Sequence, residues 1–322
     1  MSDVINWLVN SEPYIEYNSR VDLLGQSKTN NEVIIAKEKL LKDSRIESIL
    51  QELKKWPGYP LKRHNDASHL IHKLSFLADI GIGKENSVIQ QVSQKIFTQQ
   101  SDDGAFQVII NIPTHFGGSG EDEHLWMLCD APLTLYSLIK AGWGEDQRVQ
   151  AALKHIVSLV KENGWPCAAS SKLKGKFRGP GRKIDPCPYA NLVSLKALSE
   201  HPKWKNSKES KIGAETLLNL WDQRKERKAY LFGMGTDFKK LKAPLIWYDI
   251  LHVTEVLTQF DWLKKDERLL QMIDIIRSKA DENGFYTAES VWLAWKEWEF
   301  GQKKTPSAWI TFLVYRILNR MK

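Results

Sequence analysis

The chain has 322 residues, of which 42% are hydrophobic and 13 are tryptophan, and its formal net charge is +7. This apolar content excludes an intrinsically disordered chain, and no stretch is long and apolar enough to span a membrane. The positive charge is compatible with an anionic partner, but a lysine-rich solvated surface explains most of it, so nucleic-acid binding is not expected.

The beginning of the sequence and its cysteine content predict a cytoplasmic location. The first residues, Met-Ser-Asp-Val-Ile-Asn-Trp, lack the basic and apolar regions of a secretory signal peptide. The three cysteines, Cys129, Cys167 and Cys187, cannot all pair in disulfides, which fits a reducing compartment.

In chain order, the predicted elements are nearly all helical. Residues 1–30 are expected to form an extra helical cap. Further along, apolar side chains recur at helical spacing over residues 86–100, 148–160 and 267–279. The predicted helices run into turns built around glycine or an aromatic residue, at 56–59, 101–107, 162–167, 228–233 and 281–286. No strand-like alternation is long enough to compete, so the pattern predicts an all-α fold.

A repeat organises these elements. Five similar helix starts lie about sixty residues apart, at His69, Asp130, Cys187, Tyr248 and Ala308. A fixed period of this length predicts hairpins of an outer helix, a glycine turn, a loop and an inner helix, packed against one another. No linker interrupts the pattern, so residues 31–322 are expected to form one domain. If the hairpins close into a ring, the five inner helix starts face one mouth of a central cavity.

The hairpins and the turn Asp-Asp-Gly-Ala-Phe-Gln (102–107) resemble the α/α-toroid superfamily, which includes squalene and terpenoid cyclases and the catalytic subunits of protein prenyltransferases. The resemblance covers roughly residues 31–322. It implies an α/α toroid, a barrel of about five helical hairpins with inner and outer helices. It also implies a central cavity for an apolar, isoprenoid-type ligand.

A basic loop lies immediately before the third inner helix. Residues 170–188 contain six cationic side chains and three glycines. Glycine lets backbone N–H groups approach a ligand, and guanidinium groups match phosphate oxygens. Two interpretations remain open: a site where Arg178, Arg182 and Lys183 hold an anionic head such as an isoprenoid diphosphate, or a solvated surface loop.

The same loop continues into Asp-Pro-Cys-Pro-Tyr, which is similar to the Asp-x-Cys-Tyr motif of protein prenyltransferase catalytic subunits. That resemblance implies that Asp185 and Cys187 bind a zinc ion that activates an acceptor thiol. The family's third ligand is a histidine at the start of the next inner helix. Here the aligned residue is Tyr248, so Asp249 or His252 is the candidate third ligand. Alternatively, Cys187 is a small buried core residue.

The comparison with class II terpenoid cyclases concerns the second inner helix. Those enzymes protonate their substrate with an Asp-x-Asp-Asp motif, of which only the last aspartate remains here, as Asp130, with Cys129 in the donor position. Standard class II cyclisation is therefore not expected unless Asp130 itself is the acid. Asp130, Tyr248 and His69 are the candidate catalytic residues. The acidic segment 121–124 is interpreted as a solvated loop followed by a capping aspartate, in preference to a metal site with Asp130 and His69.

Aromatic side chains near the inner helix starts, Trp126, Tyr189 and Trp247, are candidates for lining the cavity, although helix packing explains them equally. The sequence thus predicts a prenyltransferase-like or terpenoid-cyclase-like protein that binds an apolar ligand with an anionic head, its reaction undefined. The alternative is a non-catalytic helical scaffold that binds a protein or another macromolecule. A deep aromatic cavity with the basic loop at its rim favours the first hypothesis, and a filled cavity with Cys187 packed inside favours the second.

Overall fold

The computed structural model describes residues 2–177, 179, 184–226 and 232–322. Over these residues the fold is all-α, as predicted, with one two-stranded hairpin as the exception. No helix in the described ranges has both the length and the apolar character needed to cross a membrane.

The α-helices are numbered here in chain order. They are α1 (Ser2–Val9), α2 (Pro13–Asn18), α3 (Asn31–Leu41), α4 (Ser44–Leu53), α5 (Leu70–Asp79), α6 (Ser87–Phe97), α7 (Ala131–Leu138), α8 (Gln147–Ser158), α9 (Pro188–Ser199), α10 (Pro202–Lys205), α11 (Lys208–Asp222), α12 (Ile250–Leu257), α13 (Glu267–Arg277) and α14 (Ala308–Arg320). Two of them, α2 and α7, continue directly into π-helical turns, at Ser19–Leu23 and Ile139–Trp143.

The chain divides into two compact units. The first unit comprises Met1–Ile49 and Gly235–Lys322, and the second unit comprises Leu50–Met234. The predicted boundary between residues 30 and 31 lies inside the first unit. That unit joins the two ends of the chain, which the repeat pattern did not indicate.

Two kinds of helix alternate along the chain. Every residue of α7, α9 and α12 is buried. In contrast, α6, α8 and α13 bury one face only; in α8 this face consists of Val149, Ala152, Leu153 and Ile156. A side chain every three or four residues forms a single apolar stripe on a helix. These are the helices expected at 86–100, 148–160 and 267–279, which confirms their assignment within a few residues.

The five aligned positions mark helix starts. His69, Asp130 and Cys187 are the N-cap residues of α5, α7 and α9. Tyr248 and Ala308 each lie one residue from an N-cap, at α12 and α14. Within the second unit, α5 packs on α7, α7 on α9 and α9 on α11. Residues far apart in the sequence are therefore brought together at the beginnings of adjacent helices.

One glycine turn shows how such a helix is fixed. Gly164 has a φ of 103°, a conformation that strains other residues. A Cβ atom there would also lie 2.5 Å from both Asn191 Oδ1 and Thr216 Oγ1. The Asn191 side-chain amide binds both main-chain polar groups of Trp165, the residue after Gly164. It accepts from Trp165 N at 3.0 Å and donates to Trp165 O at 2.9 Å. The turn is thereby attached to α9.

Two predictions were wrong: that the chain forms no strand, and that residues 121–124 form a solvated loop. Strands β1 (Val108–Asn111) and β2 (Asp122–Leu125) form an antiparallel hairpin in which Val108 pairs with Leu125 and Asn111 with Asp122. Strand β1 contains the run Val-Ile-Ile, whose branched side chains favour a pleated, half-buried surface. The polar strand β2 is ordered by pairing with β1, which its own composition does not reveal.

Candidate thiol site

All three cysteines of the chain meet in the second unit, and we call Cys129, Cys167 and Cys187 the thiol cluster. Cys129 precedes the N-cap of α7, Cys187 is the N-cap of α9, and Cys167 follows the Gly164 turn. The sulfur atoms of Cys129 and Cys187 are 3.9 Å apart, and both side chains are buried. Cys167 is half-buried, and all three are free thiols. The packing of α7 on α9 therefore produces a compact set of sulfur atoms.

Cys187 is the most acidic thiol of the cluster. Its pKa is held well below the ordinary value by hydrogen bonds from the Cys129 and Cys167 thiols, and further by the Ala190 backbone N–H and the charge of His64. Hydrogen bonding to its two neighbours raises the pKa of Cys129. The pKa of Cys167 rises to about 12 because its bond with Cys187 and its burial outweigh the opposing bond with Cys129. Cys187 is therefore the thiol of the cluster that ionises most readily.

Beside the thiol cluster lies an imidazole–carboxylate pair. His64 Nδ1 is 2.8 Å from Asp130 Oδ1 and 3.1 Å from Oδ2. Burial alone would lower the pKa of His64, but the charge and hydrogen bond of Asp130, together with the charge of Cys187, raise it. The His64 side chain is 31% exposed and that of Asp130 is 4% exposed. His64 is therefore the more exposed member of this pair, and its protonated form is favoured by Asp130 and Cys187.

Asp130 does not cap its helix. Although it occupies the N-cap position of α7, its side chain makes no capping hydrogen bond. The interpretation of Asp130 as a capping residue is therefore wrong, because its carboxylate binds His64 instead.

Two further histidines hold the segment that carries His64. Buried His72, on α5, donates from Nε2 to the main-chain oxygen of His64 at 2.8 Å. His69 accepts from Ile71 N at 3.2 Å through Nδ1 and donates from Nε2 to the Tyr59 carbonyl oxygen at 3.0 Å. Burial lowers the pKa of both imidazoles, that of His72 to about 4, so both are neutral near pH 7. His69, a predicted catalytic residue, thus binds main-chain atoms on both sides of its ring.

The four predicted zinc ligands are divided between the two units. Asp185 and Cys187 are buried in the second unit, whereas Asp249 and His252 belong to the first. There, Asp249 Oδ1 accepts from His252 N at 3.0 Å, and His252 Nδ1 donates to Trp247 O at 2.9 Å. In the described part of the chain, no group of three or more His, Cys, Asp or Glu side chains is arranged to hold a metal ion. Zinc binding by these residues therefore stays a prediction.

The predicted anion-binding residues, Arg178, Arg182 and Lys183, lie outside the described residues. Binding of an isoprenoid diphosphate by this loop stays a prediction for the same reason.

The remaining candidates are packed side chains. Trp126 is buried and donates from Nε1 to Asp103 Oδ2 at 3.0 Å. Tyr189 is buried in α9, and Tyr248, in the first unit, is buried with its ring centroid 5.3 Å from that of Phe238. Trp247 is half-buried. Their role in lining a cavity stays a prediction.

Two features of the site were not predicted from the sequence. His64 lies in a segment without helical periodicity, and its partner Asp130 is far away in the sequence. The signal for the thiol cluster was present, because Cys129 and Cys187 occupy neighbouring positions at the beginnings of two of the aligned helices, α7 and α9. No family model matches the chain, and a search among curated proteins finds no relative. The function must therefore be argued from the site itself.

Proposed function

We propose that the protein is a thiol-dependent enzyme of acyl transfer or hydrolysis, with Cys187 as the nucleophile, His64 as the acid and base, and Asp130 as the residue that orients His64. One observation supports this assignment above the others: His64 Nδ1 is 2.8 Å from Asp130 Oδ1, and the same imidazole interacts with the charge of Cys187, the N-cap of α9, which packs on α7. A nucleophile, a base and a third group that orients the base are the usual components of covalent catalysis.

The chemistry of each group follows from its environment. The N-terminus of α9 adds a positive dipole to the hydrogen bonds that stabilise the Cys187 thiolate. This thiolate attacks the carbonyl carbon of an acyl donor, and the C–S bond forms while charge moves to the carbonyl oxygen. Protonated His64 then gives its proton to the departing alcohol, thiol or amine. In the second half, neutral His64 takes a proton from water or another acceptor, which displaces Cys187 from the thioester.

The α/α toroid is the architecture we propose for this enzyme. It is supported by the alternation of wholly buried and one-face-buried helices and by the position of the aligned residues at helix N-caps. In such a ring the beginnings of the inner helices share one mouth, which gives substrate a route to His64. An apolar ligand with an anionic head remains compatible with this proposal, with the acyl carbonyl as the group that reacts.

The proposal predicts a covalent acyl-enzyme. Incubation with p-nitrophenyl acetate and p-nitrophenyl decanoate should place an acyl group on Cys187, detected by mass spectrometry of proteolytic peptides. His64→Ala should slow release of p-nitrophenol by about 100-fold or more, because the base is lost. Exposed His115, in the same unit, provides the control variant His115→Ala, which should react like the natural protein. Equal acylation of Cys129 or Cys167, or an unchanged rate in His64→Ala, would contradict the assignment.

Elemental analysis separates this function from the prenyltransferase-like alternative. Protein purified without added metal or a histidine tag should contain no stoichiometric zinc if Cys187 is a free nucleophile. Zinc near one equivalent that disappears in Cys187→Ala would instead support the site implied by the resemblance. A protein with neither zinc nor acylation would favour the scaffold hypothesis.

A further inference from the structure

In the proposed mechanism only Cys187 forms a covalent bond, and the other two thiols act as hydrogen-bond donors to its sulfur. Cys129 is buried, and its sulfur is 3.9 Å from that of Cys187. A disulfide requires the two sulfur atoms to be about 2.05 Å apart, so the pair must close by about 2 Å. Cys129 precedes the N-cap of α7, and Cys187 is the N-cap of α9, so rotation of the two side chains breaks no main-chain hydrogen bond of either helix. It costs only the long capping contact between Ala190 N and the Cys187 sulfur, at 3.5 Å.

Cys167 is in a different position. A Cβ atom built on Gly179 would lie 2.7 Å from the Cys167 sulfur, so the backbone of Gly179 packs closely against this thiol. Cys167 is also half-buried, whereas the Cys129 and Cys187 side chains are 4% and 3% exposed. The low exposure of the buried pair hinders a large thiol such as glutathione far more than a molecule as small as hydrogen peroxide.

From this geometry we infer that Cys187 and Cys129 form a peroxide-sensitive dithiol, in which Cys187 is oxidised first and Cys129 closes the disulfide.

The reaction balances without another reactant. The Cys187 sulfur attacks one oxygen of hydrogen peroxide, the O–O bond breaks, and the departing hydroxide takes a proton from His64 to become water. Cys187 is then a sulfenic acid. The Cys129 sulfur attacks the Cys187 sulfur, the S–S bond forms, the S–O bond breaks, and the second hydroxide takes the Cys129 proton. Two thiols have lost two electrons, and one peroxide has become two waters.

The disulfide removes the nucleophile of the proposed function, so oxidation inactivates the enzyme and a dithiol reductant restores it. Only this consequence rests on the proposed function. Formation of the disulfide rests on the sulfur geometry alone.

The test uses the full chain, reduced with dithiothreitol in the presence of a chelator, desalted and then treated with increasing hydrogen peroxide. The intact mass should fall by about 2 Da, and non-reducing peptide mapping should show a Cys129–Cys187 crosslink. Cys129→Ala should form no crosslink and should instead accumulate a sulfenic acid on Cys187 that dimedone traps. Cys167→Ala, the control variant, should still form the crosslink.

Three results would overturn the inference: a crosslink that contains Cys167, no loss of mass at about a tenfold excess of peroxide, or direct conversion of Cys187 to the sulfinic acid. Mapping of the natural protein decides the question even if a variant fails to fold. The two proposals can also fail separately. A crosslink without acylation by p-nitrophenyl esters would contradict the proposed enzyme and support the peroxide-sensitive dithiol. Acylation without a crosslink would support the enzyme and contradict the dithiol.

Discussion

His64 depends on a second histidine for its position. His72 Nε2 donates to the main-chain oxygen of His64, and no partner for His72 Nδ1 is found among the described residues. Because burial lowers the pKa of His72 to about 4, the ring stays neutral while Cys187 and His64 titrate. His72 is therefore a positioning residue, which acts by fixing the backbone from which His64 reaches Asp130.

This role predicts different effects for two substitutions of His72. In His72→Gln, the side-chain amide can reach the place of Nε2 and keep the donor, so reactivity should be preserved. In His72→Leu, the donor is lost and the His64 carbonyl has no replacement. The rate of Cys187 alkylation by iodoacetamide, measured across pH, should then show a thiol pKa raised by about one unit.

A merely structural role for His72 is distinguishable from positioning. It would lower the melting temperature of His72→Leu without moving the pH at which Cys187 becomes reactive. Equal pH profiles for the natural protein and His72→Leu would therefore rule out the positioning role.

At the scale of elements, helices α5, α7 and α9 are joined at the ends opposite the thiol cluster by a buried polar trio. Lys196 Nζ lies 3.2 Å from Asp79 Oδ1, and the two side chains are 5% and 8% exposed. The Tyr136 hydroxyl donates to Asp79, and its ring lies 4.3 Å from the ammonium group of Lys196. Each charge of the trio has a partner. The trio therefore connects the three helices whose N-cap residues are His69, Asp130 and Cys187.

Removal of one charge of this pair should be far more costly than removal of both. Lys196→Met leaves the Asp79 carboxylate buried without its cation, which costs about 3–5 kcal/mol of the free energy of unfolding. In Asp79→Asn with Lys196→Met, the Tyr136 hydroxyl still has an acceptor, so much of this loss should be recovered. Urea unfolding of both variants and of Asp79→Asn gives the coupling energy. An additive double variant would show that the pair does not interact in the folded protein.

The elements also show what a single sequence can predict. Helix starts such as Cys187 and helices that bury one face, such as α8, could be found because capping and apolar spacing are local properties. Strand β2 could not, since its polar residues become a strand only by pairing with β1. Likewise, Lys196 stands in a wholly buried helix, and its partner Asp79 comes from another one. The pairing of His64 with Asp130 depends on tertiary structure in the same way, so only part of the candidate site could be predicted from the sequence.

At the scale of the whole molecule, both units hold buried charges in pairs, such as His64 with Asp130 in the second unit and Arg316 with Glu255 in the first. The first unit also contains two carboxyl groups, buried Asp249 and half-buried Glu299, that accept hydrogen bonds from the first residues of α12 and α14. Desolvation raises the pKa of each to about 7. Glu299 accepts hydrogen bonds from Ser307, Ala308 and Trp309, whereas Asp249 Oδ2 has no partner among the described residues. Asp249 is therefore the clearer case of a carboxyl group that folding holds in its neutral form.

The first unit should consequently lose stability as the pH rises. The pKa of Asp249 is about 7 in the folded chain, against an ordinary 3.8, because desolvation outweighs the His252 N–H bond and the charge of Lys242. Between these two values the folded state binds more protons than the unfolded state. The stabilising contribution of Asp249 is therefore complete below about pH 4 and disappears as the pH passes 7.

In Asp249→Asn, Oδ1 still caps α12, but the side chain no longer titrates. Urea unfolding followed by tryptophan fluorescence from pH 5 to 8 should therefore show a decline that is shallower in Asp249→Asn by about 1–3 kcal/mol. Groups of the second unit titrate equally in both proteins and cancel in the comparison. Parallel curves for the two proteins would mean that Asp249 is ionised throughout, with its charge stabilised by Lys242 and the α12 N-terminus.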